Sequence, residues 1–388
     1  MSKTNILELI RDSEAEWKKL GEICEIENSK RKPVKASLRV AGNTPYYGAN
    51  NIQDYVDGYT HDGEFVLIAE DGSASLENYS IQWAVGKFWA NNHVHVVRGK
   101  AGLLNRFLFH FLSSMNFIPY LSGAGRPKLT RGQLVEILIP IPPLAVQEEI
   151  VRILDNFTEL TAELTAELEA RQKQYSYYRD QLLSFEGSEV EWKSLGEITL
   201  PASNIKWKNN KNTYRYIDLT SVSRENYTIT ETIEISSKNA PSRAQKIVYK
   251  DDVIFATTRP TQQRLTLIDE NFSGEIASTG YCVLRVKTNE ALPKWIYYNL
   301  FSSGFKKYLE DNQSGSAYPA ISDGKVKEFT VPIPPLKTQE KIVSILDKFD
   351  TLANSIKEGL PREIELRTKQ YEHYRDLLLR FPKPDQKE

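Results

Sequence analysis

Short polar clusters between apolar runs are the residues of this chain whose types and spacing suit chemistry. In the second half, arginine, threonine and glutamine crowd into the stretch 259–264. Arginine can reach phosphates or guanine, and so dense a set of polar side chains suits the reading of base edges. The residues of this half that we predict to contact nucleic acid are Arg243, Lys246, Arg259, Thr261, Gln262, Arg264, Ser316 and Tyr318. The alternative for each is an ordinary polar side chain on the surface.

The first half carries similar side chains in a basic run at 30–35, an asparagine pair at 91–92 and a glycine-rich stretch at 122–130. Lysine and arginine suit phosphate contacts, and asparagine can bind adenine through two hydrogen bonds. The predicted contacts here are Lys30, Arg31, Lys32, Lys35, Tyr47, Asn50, Asn91, Asn92, Arg126 and Lys128. The alternative for the basic run is a solvated loop.

Catalytic motifs are missing from the sequence. The amide or acidic position of an adenine methyltransferase motif before Pro-Pro is occupied by Ile141 and Ile333, and neither GxGxxG nor GxxxxGK[ST] occurs. His93 and His95 suggest a metal, but no third ligand cluster accompanies them, which favours turn and core roles. We therefore predict no catalytic, metal or cofactor site and no enzyme activity of the chain itself. The alternative, an independent methyltransferase or nuclease, requires methyl transfer by the purified chain alone.

The composition is that of a soluble protein of two or three domains, with 388 residues, 40% hydrophobic and 26% charged. Two distant cysteines and the absence of an apolar run of membrane length predict a reducing cytoplasm and no membrane. The net charge of −1 divides unevenly, with +3 over 17–139, −7 over 140–191 and +4 over 192–331, while 1–16 carry −2 and 332–388 carry +1. Two basic blocks around an acidic one weakly favour a polyanionic partner.

An internal repeat organises the chain. EWKKLGEI (16–23) returns as EWKSLGEI (191–198), and IPIPPLAVQEEIVRILDNF (139–157) returns as VPIPPLKTQEKIVSILDKF (331–349). RQKQYSYYRDQLLSF and RTKQYEHYRDLLLRF form a third pair, at offset 196. The segments between the first two pairs differ in length and sequence. Constant frames therefore carry two divergent inserts, which indicates one task performed twice on different targets.

The frames read as long helices, since apolar residues recur every three or four positions after each Pro-Pro. We predict that the two pair as an antiparallel coiled coil, with Pro361 kinking or breaking the second. Residues 1–16 resemble the end of a frame, so the chain is expected to close into a quasi-cyclic arrangement with a pseudo-two-fold axis.

The inserts read as small α/β modules. Strands are predicted at 64–71, 83–98 with a turn at Asn91–Asn92, 135–141, 214–222, 250–258, 264–269 and 280–286. Helices are predicted at 105–121 and 293–310. SGAGRPKLT (122–130) and SGSAYPAIS (314–322) end the two inserts at the same offset of 192 as the Pro-Pro blocks.

The order of insert, PIPPL-x-x-Q-x-x-I helix and QY-x-x-YRD-x-L helix end, repeated once, resembles the DNA-specificity subunit of Type I restriction-modification systems over nearly the whole chain. The segment 45–73 resembles one common class of its target recognition domains, and the TAELTAEL tandem at 161–168 resembles the family's spacer unit. The resemblance implies the following divisions: 1–16 completing the helical frame, 17–141 and 187–333 as target recognition domains, 142–186 and 334–381 as spacer helices, and 382–388 as a tail.

The resemblance also implies partners. Each recognition domain would read one half of a bipartite double-stranded DNA site, and two methyltransferase subunits would dock on the helices. These would use S-adenosylmethionine, and a restriction/translocase subunit would use ATP with Mg²⁺, with no cofactor bound by this chain. The alternative is a duplicated coiled-coil scaffold that binds proteins. It explains the helices but not the divergence of the inserts.

Overall fold

The chain divides into two compact units, one formed by Met1–Ala162 with Leu366–Glu388 and the other by Glu163–Glu365. The structure, a computed structural model, describes residues 15–123, 125–187, 189–355 and 358–382. The predicted frame segment at 1–16 lies outside these residues except for its last two positions, and the tail at 382–388 except for its first. In the described part of the chain no helix is long and apolar enough to span a membrane.

The first unit holds a six-stranded sheet, a two-stranded ribbon, short helices and parts of two long helices. Its elements are β1 Glu16–Lys19, α1 Leu20–Ile23, β2 Cys24–Ile26, β3 Ala41–Tyr47, β4 Ile52–Val56, β5 His61–Ala69, β6 Ile81–Ala90, β7 Val94–Gly99, α2 Asn105–Ser113, α3 Arg131–Val135, β8 Leu138–Ile141 and α4 Leu144–Leu183. The sheet order is β2-β7-β5-β6-β3-β4, with β3 and β6 parallel and the other pairs antiparallel. The run Phe65–Ala69 is buried on both faces, so β5 is the centre of the module.

The second unit holds two four-stranded sheets. Its strands are β9 Glu191–Ser194, β10 Thr199–Leu200, β11 Tyr214–Ile217, β12 Ile233–Ile235, β13 Ala244–Ile247, β14 Val253–Ala256, β15 Leu265–Leu267, β16 Ile276–Ser278, β17 Tyr281–Val286 and β18 Thr330–Ile333. Its helices are α5 Pro293–Asn299, α6 Ser303–Asn312, α7 Asp323–Glu328 and α8 Leu336–Asn354, followed by α9 Gly359–Leu378. The sheet orders are β10-β17-β14-β15 and β12-β11-β16-β13.

The repeated sequence blocks contact each other within each unit. The EWKK strand β1 pairs with β8 in the register Trp17 to Pro140, and the EWKS strand β9 pairs with β18 in the register Trp192 to Pro332. A two-stranded ribbon thus joins the start of each module to the start of the helix that leaves it. This pairing gives a physical reason why the two blocks repeat together while the segments between them diverge.

Helix pairing repeats as well. In the first unit, Phe157 of α4 stacks on Tyr374 of α9 with ring centroids 5.3 Å apart. In the second unit, Phe349 of α8 stacks on Tyr178 of α4 at 6.0 Å. In both units a segment of α4 therefore packs against a segment of the other frame helix. The predicted pairing of the two frame helices is confirmed within each unit.

The described ends of the chain meet inside the first unit. The Trp17 indole N–H donates to the carbonyl of Pro382 at 2.7 Å, and Phe381 packs edge-on against Phe107 in the buried core. The prediction that the chain closes on itself is thereby confirmed for the described residues.

The second frame helix is interrupted between Asn354 and Gly359, and Pro361 lies in the first turn of α9, where a missing N–H costs no hydrogen bond.

Several predicted elements are too long. The helix expected at 105–121 ends at Ser113, where the Asn116 side chain accepts the Ile118 N–H at 3.0 Å and competes with helix continuation. The helix expected at 293–310 is two helices, because the Ser302 hydroxyl caps the second by accepting the Phe305 N–H. Short strands replace the longer runs at 214–222, 250–258 and 264–269. Ten of the described strands were not predicted, namely β1, β2, β3, β4, β9, β10, β12, β13, β16 and β18.

Candidate nucleic-acid interface

In each unit, the loop that follows the central strand pairs with the glycine-rich segment at the end of the module. We call residues 70–72 and 257–259 the strand-end loops, and residues 122–130 and 314–322 the glycine loops. Asp71 bridges Lys128 in the first unit, and Thr258 bridges Ala320 in the second. Lys128 and Ala320 are 192 residues apart, which is the offset of the repeat.

A second hydrogen bond has the same geometry in both units. The Leu129 N–H donates to the Glu70 carbonyl at 2.8 Å, and the Ile321 N–H donates to the Thr257 carbonyl at 2.9 Å. Glu70, Asp71 and Gly72 therefore correspond to Thr257, Thr258 and Arg259. Two modules with unlike sequences present the same pair of loops on the same kind of strand end.

Glycine sets the shape of both glycine loops. Gly123 and Gly315 have φ of 97° and 95°. A Cβ at Gly123 would lie 2.9 Å from the Arg126 carbonyl oxygen, and one at Gly315 would lie 3.0 Å from that of Tyr318. Only glycine accommodates both the backbone angle and the close approach. The loop backbone is thus held constant while the exposed residue at its tip differs, Arg126 in one module and Tyr318 in the other.

The base of the first loop pair is an ion-pair network around Glu70. Arg31 and Lys128 lie 2.7 and 2.9 Å from its carboxylate, and Arg31 also donates to the carbonyls of Asn92 and Val94. Burial pushes the Glu70 pKa upward, but the hydrogen bonds from Arg31 and Lys128 outweigh it and hold the pKa below its usual value. The network fastens both loops to β7.

Above this network lies an open groove of about 750 Å³. Its polar lining comprises Asn50, Gln53, Asp71, Ser73, His93, Arg126 and Lys128. The His93 ring nitrogen lies 2.5 Å from the Asp71 carboxylate, whereas the exposed Arg126 forms no ion pair with a described residue. The groove therefore offers both an acceptor and a free guanidinium, which together suit a base edge beside a phosphate.

The predicted contacts of the first half separate into two sets. Asn50, Arg126 and Lys128 line the groove, and Asn91–Asn92 forms the turn beside His93. Asn50 is already engaged, since it donates to the Gly72 carbonyl and accepts the Ala74 N–H. Arg31 does not line the groove but holds the two loops in place through the ion-pair network described above. Four predicted residues lie apart from this groove among the described residues: Lys30 paired with Glu27, Lys32 over the Trp89 ring, Tyr47 against Phe88, and the exposed Lys35.

In the second unit, Arg259 and Tyr318 come together across the two loops, with the guanidinium 5.3 Å from the ring centroid. Gln262, Arg243 and Ser316 are exposed, and Thr261 is half-buried. Two predicted residues are instead occupied inside the module. Arg264 donates to the Leu219 carbonyl, and Lys246 pairs with Asp323 and donates to the Tyr281 carbonyl. Gln53, Asp71, Ser73, His93 and Thr258 were missing from the predicted set.

Metal chemistry finds no support in the described part of the chain, where no group of three or more His, Cys, Asp or Glu side chains is placed to hold an ion. His95 is buried and shares hydrogen bonds with the Leu129 carbonyl and with Asn28. Both cysteines are buried, and burial raises their thiol pKa values to about 12. His95 and the cysteines are therefore parts of the core.

The profile of the Type I restriction modification DNA specificity domain matches residues 13–171 and again 188–366. A Haemophilus influenzae protein assigned as a type I restriction enzyme specificity subunit is 46% identical over 98% of this chain and 99% of its own length. The Escherichia coli EcoR124I/EcoR124II specificity subunit is 34% identical over 99% of each chain. The crystal structure of a Type-I restriction-modification S subunit from M. genitalium shares the fold, with a TM-score of 0.60 at 16% identity over 96% of this chain and 97% of that one. With two copies of the specificity domain along its length, the chain belongs to the family of Type I restriction-modification DNA specificity subunits.

Proposed function

We propose that each module of this specificity subunit reads one half of a bipartite DNA site through its paired loops. The observation that carries the proposal is that Asp71 and Thr258 occupy equivalent bridges, while the residues around them differ. A constant loop backbone with unlike donors and acceptors is what two different half-sites require, because each base pair shows its own pattern in the major groove.

The helices provide the docking surface for two methyltransferase subunits, which carry S-adenosylmethionine, and a restriction/translocase subunit adds ATP and Mg²⁺ chemistry. The complex acts in the cytoplasm. The chain itself acts as a non-catalytic subunit, in keeping with its membership of the specificity-subunit family.

The direct test is co-expression with the methyltransferase subunit encoded beside it, in a host lacking modified adenines, followed by sequencing of methylated adenine across the genome. A single split motif, with two defined halves around a fixed unread gap, is the expected result. Methylation at a continuous motif means that one module alone reads DNA. A stable complex without methylation would contradict the proposal and favour the protein scaffold.

Inserting one further Thr-Ala-Glu-Leu unit after Leu168 is expected to widen the unread gap by one or two base pairs. The tandem at 161–168 lies wholly within α4, so four residues lengthen that helix by about 6 Å. Methylated-motif sequencing measures the gap. The length-neutral control Thr165→Ser should leave the gap unchanged. An insertion variant that keeps the original gap would contradict the spacer role of the tandem.

A further inference from the structure

Arg259 has a backbone conformation that arginine rarely adopts. Its φ is 50°, in the left-handed region where a side chain crowds the neighbouring carbonyl. The equivalent position of the first module is Gly72, with φ of 72°. Both residues directly follow the bridge that joins the two loops. The loop pair therefore needs a positive φ at this point in both modules, and glycine satisfies it without strain.

An arginine kept where glycine would be more stable requires a reason outside the backbone. Non-glycine residues with a positive φ are enriched at functional sites. Of the five that the structure describes in the second unit, Arg259 is the one that lies in the paired loops. Arg259 contributes nothing evident to the core, since its side chain is exposed. Its value must lie in what it presents to solvent or to a ligand.

The guanidinium of Arg259 is held in one orientation but left unneutralised. It lies over the Tyr318 ring at 5.3 Å, and that ring is 72% exposed. Within the described residues it meets no carboxylate, whereas Arg215 and Arg285 of the same unit pair with Glu275 and Asp252. Stacking on an aromatic face orients the planar fork without using its hydrogen-bond donors.

Building on the proposed function, we infer that Arg259 is the guanine-reading residue of the second module. The oriented fork has the geometry for two parallel hydrogen bonds to the O6 and N7 acceptors of guanine. The half-site of the second module therefore contains a G·C pair at the position that Arg259 reaches. Tyr318 is the positioning residue that keeps the guanidinium plane fixed.

The same loop pair of the first module has different chemistry. Its left-handed position is Gly72, its glycine loop carries Arg126 where the second has Tyr318, and Asp71 takes the place of Thr258. A carboxylate accepts a hydrogen bond from the amino group of cytosine or adenine. Guanine O6 and N7 are themselves acceptors and offer no such donor. The two modules thus present different donors and acceptors at equivalent positions, and the guanidinium stacked on an exposed aromatic ring belongs to the second module.

The test uses the full chain in complex with its methyltransferase subunit. Binding is measured on duplexes in which each base pair of the second half-site is replaced in turn, for the native protein and for Arg259→Gly. The control is Asp251→Gly, which removes another non-glycine left-handed residue (φ 68°) at the opposite end of the same strand, β14. Melting temperatures are measured for both variants.

Arg259→Gly should lower affinity for the native site about 10- to 100-fold and abolish the preference at one G·C pair. It should leave the first half-site unchanged and melt at or above the native temperature. Asp251→Gly should retain the full motif. Tyr318→Ala should weaken the same preference without moving it to another position.

An equal loss of affinity for every duplex would identify a phosphate contact and overturn base reading. An unaltered preference in Arg259→Gly, or a second half-site without a G·C pair, would overturn the inference while leaving the bipartite function standing. If native complexes show no split motif at all, the proposed function itself fails and this inference fails with it.

Discussion

Replacing Gln339 with leucine is expected to lower the free energy of unfolding of the second unit by about 3 kcal/mol or more. Gln339 lies in the first turn of α8 and is fully buried. Its Oε1 accepts the Leu292 N–H at 2.9 Å, and its Nε2 donates to the carbonyls of Glu290 and Pro334 at 3.1 and 2.8 Å. Leucine fills the same volume but leaves three backbone groups unpaired, at about 1–3 kcal/mol each.

The matching residue of the first unit has the same contacts. Gln147 accepts the Leu104 N–H at 2.9 Å and donates to the carbonyls of Gly102 and Pro142 at 2.9 and 2.8 Å. Gln147→Leu should therefore destabilise the first unit by a similar amount. The glutamine of the PIPPL-x-x-Q motif clamps the start of each frame helix to its module, which gives the repeated motif a structural reason.

Urea denaturation measures the free energy of unfolding. Hydrogen exchange of peptides from 290–346 then assigns the change to the second unit. The control is Gln172→Leu, the same chemical change at an exposed position of α4, which should alter stability by less than about 0.5 kcal/mol. Equal effects of Gln339→Leu and Gln172→Leu would show that the buried hydrogen bonds do not stabilise the helix start.

Mild acid should lower the free energy of unfolding of the first unit and leave that of the second unit unchanged. All five histidines lie in the first unit, and three of them, His61, His95 and His110, are buried. Burial lowers the pKa of each below its ordinary value, although hydrogen bonds to the Glu27 and Leu129 carbonyls and to the Asp155 carboxylate partly oppose the shift. A buried histidine thus binds a proton less readily in the folded state than in the unfolded state.

The sign follows from that difference. The stability contributed by these neutral histidines is fully present above the unfolded pKa of about 6.5, and it is lost as pH falls below that value. Between pH 7 and 5.5 each histidine can remove up to about 1 kcal/mol. In the second unit burial raises the pKa of Asp350, so protonation of that one carboxyl acts in the opposite direction.

Hydrogen exchange at pH 7 and 5.5, compared between the two units, is the measurement. His95→Gln should reduce by about one the number of protons that the first unit takes up on unfolding, and so weaken the pH dependence of its stability. His373→Gln, at an exposed position, should leave that pH dependence unchanged. Equal weakening of both units between these pH values would contradict the assignment to the buried histidines.

Helical frames and duplicated modules were predictable because they depend on local regularities. Apolar residues at helical spacing and the paired EW and Pro-Pro blocks are read directly from the chain, and the structure confirms the helices and the contacts between those blocks. Element ends were less predictable, since Asn116 and Ser302 end or restart helices through single side-chain hydrogen bonds. Such hydrogen bonds compete with helix continuation. A single asparagine or serine hardly changes the local composition, so the helix end is not visible in the sequence pattern.

The sequence alone determined that this protein performs one task twice with two different specificities, because constant frames and divergent inserts are visible without coordinates. Of the seven polar residues that line the groove of the first module, it named Asn50, Arg126 and Lys128. Only the tertiary structure decided which of them are free. Arg31, Lys246 and Arg264 are consumed by internal partners that lie 39, 77 and 45 residues away, whereas Arg259 is left exposed beside Tyr318. The physical reason is that a charged side chain becomes available to a ligand only where the fold has not already paired it, and such pairing is set by contacts between distant segments.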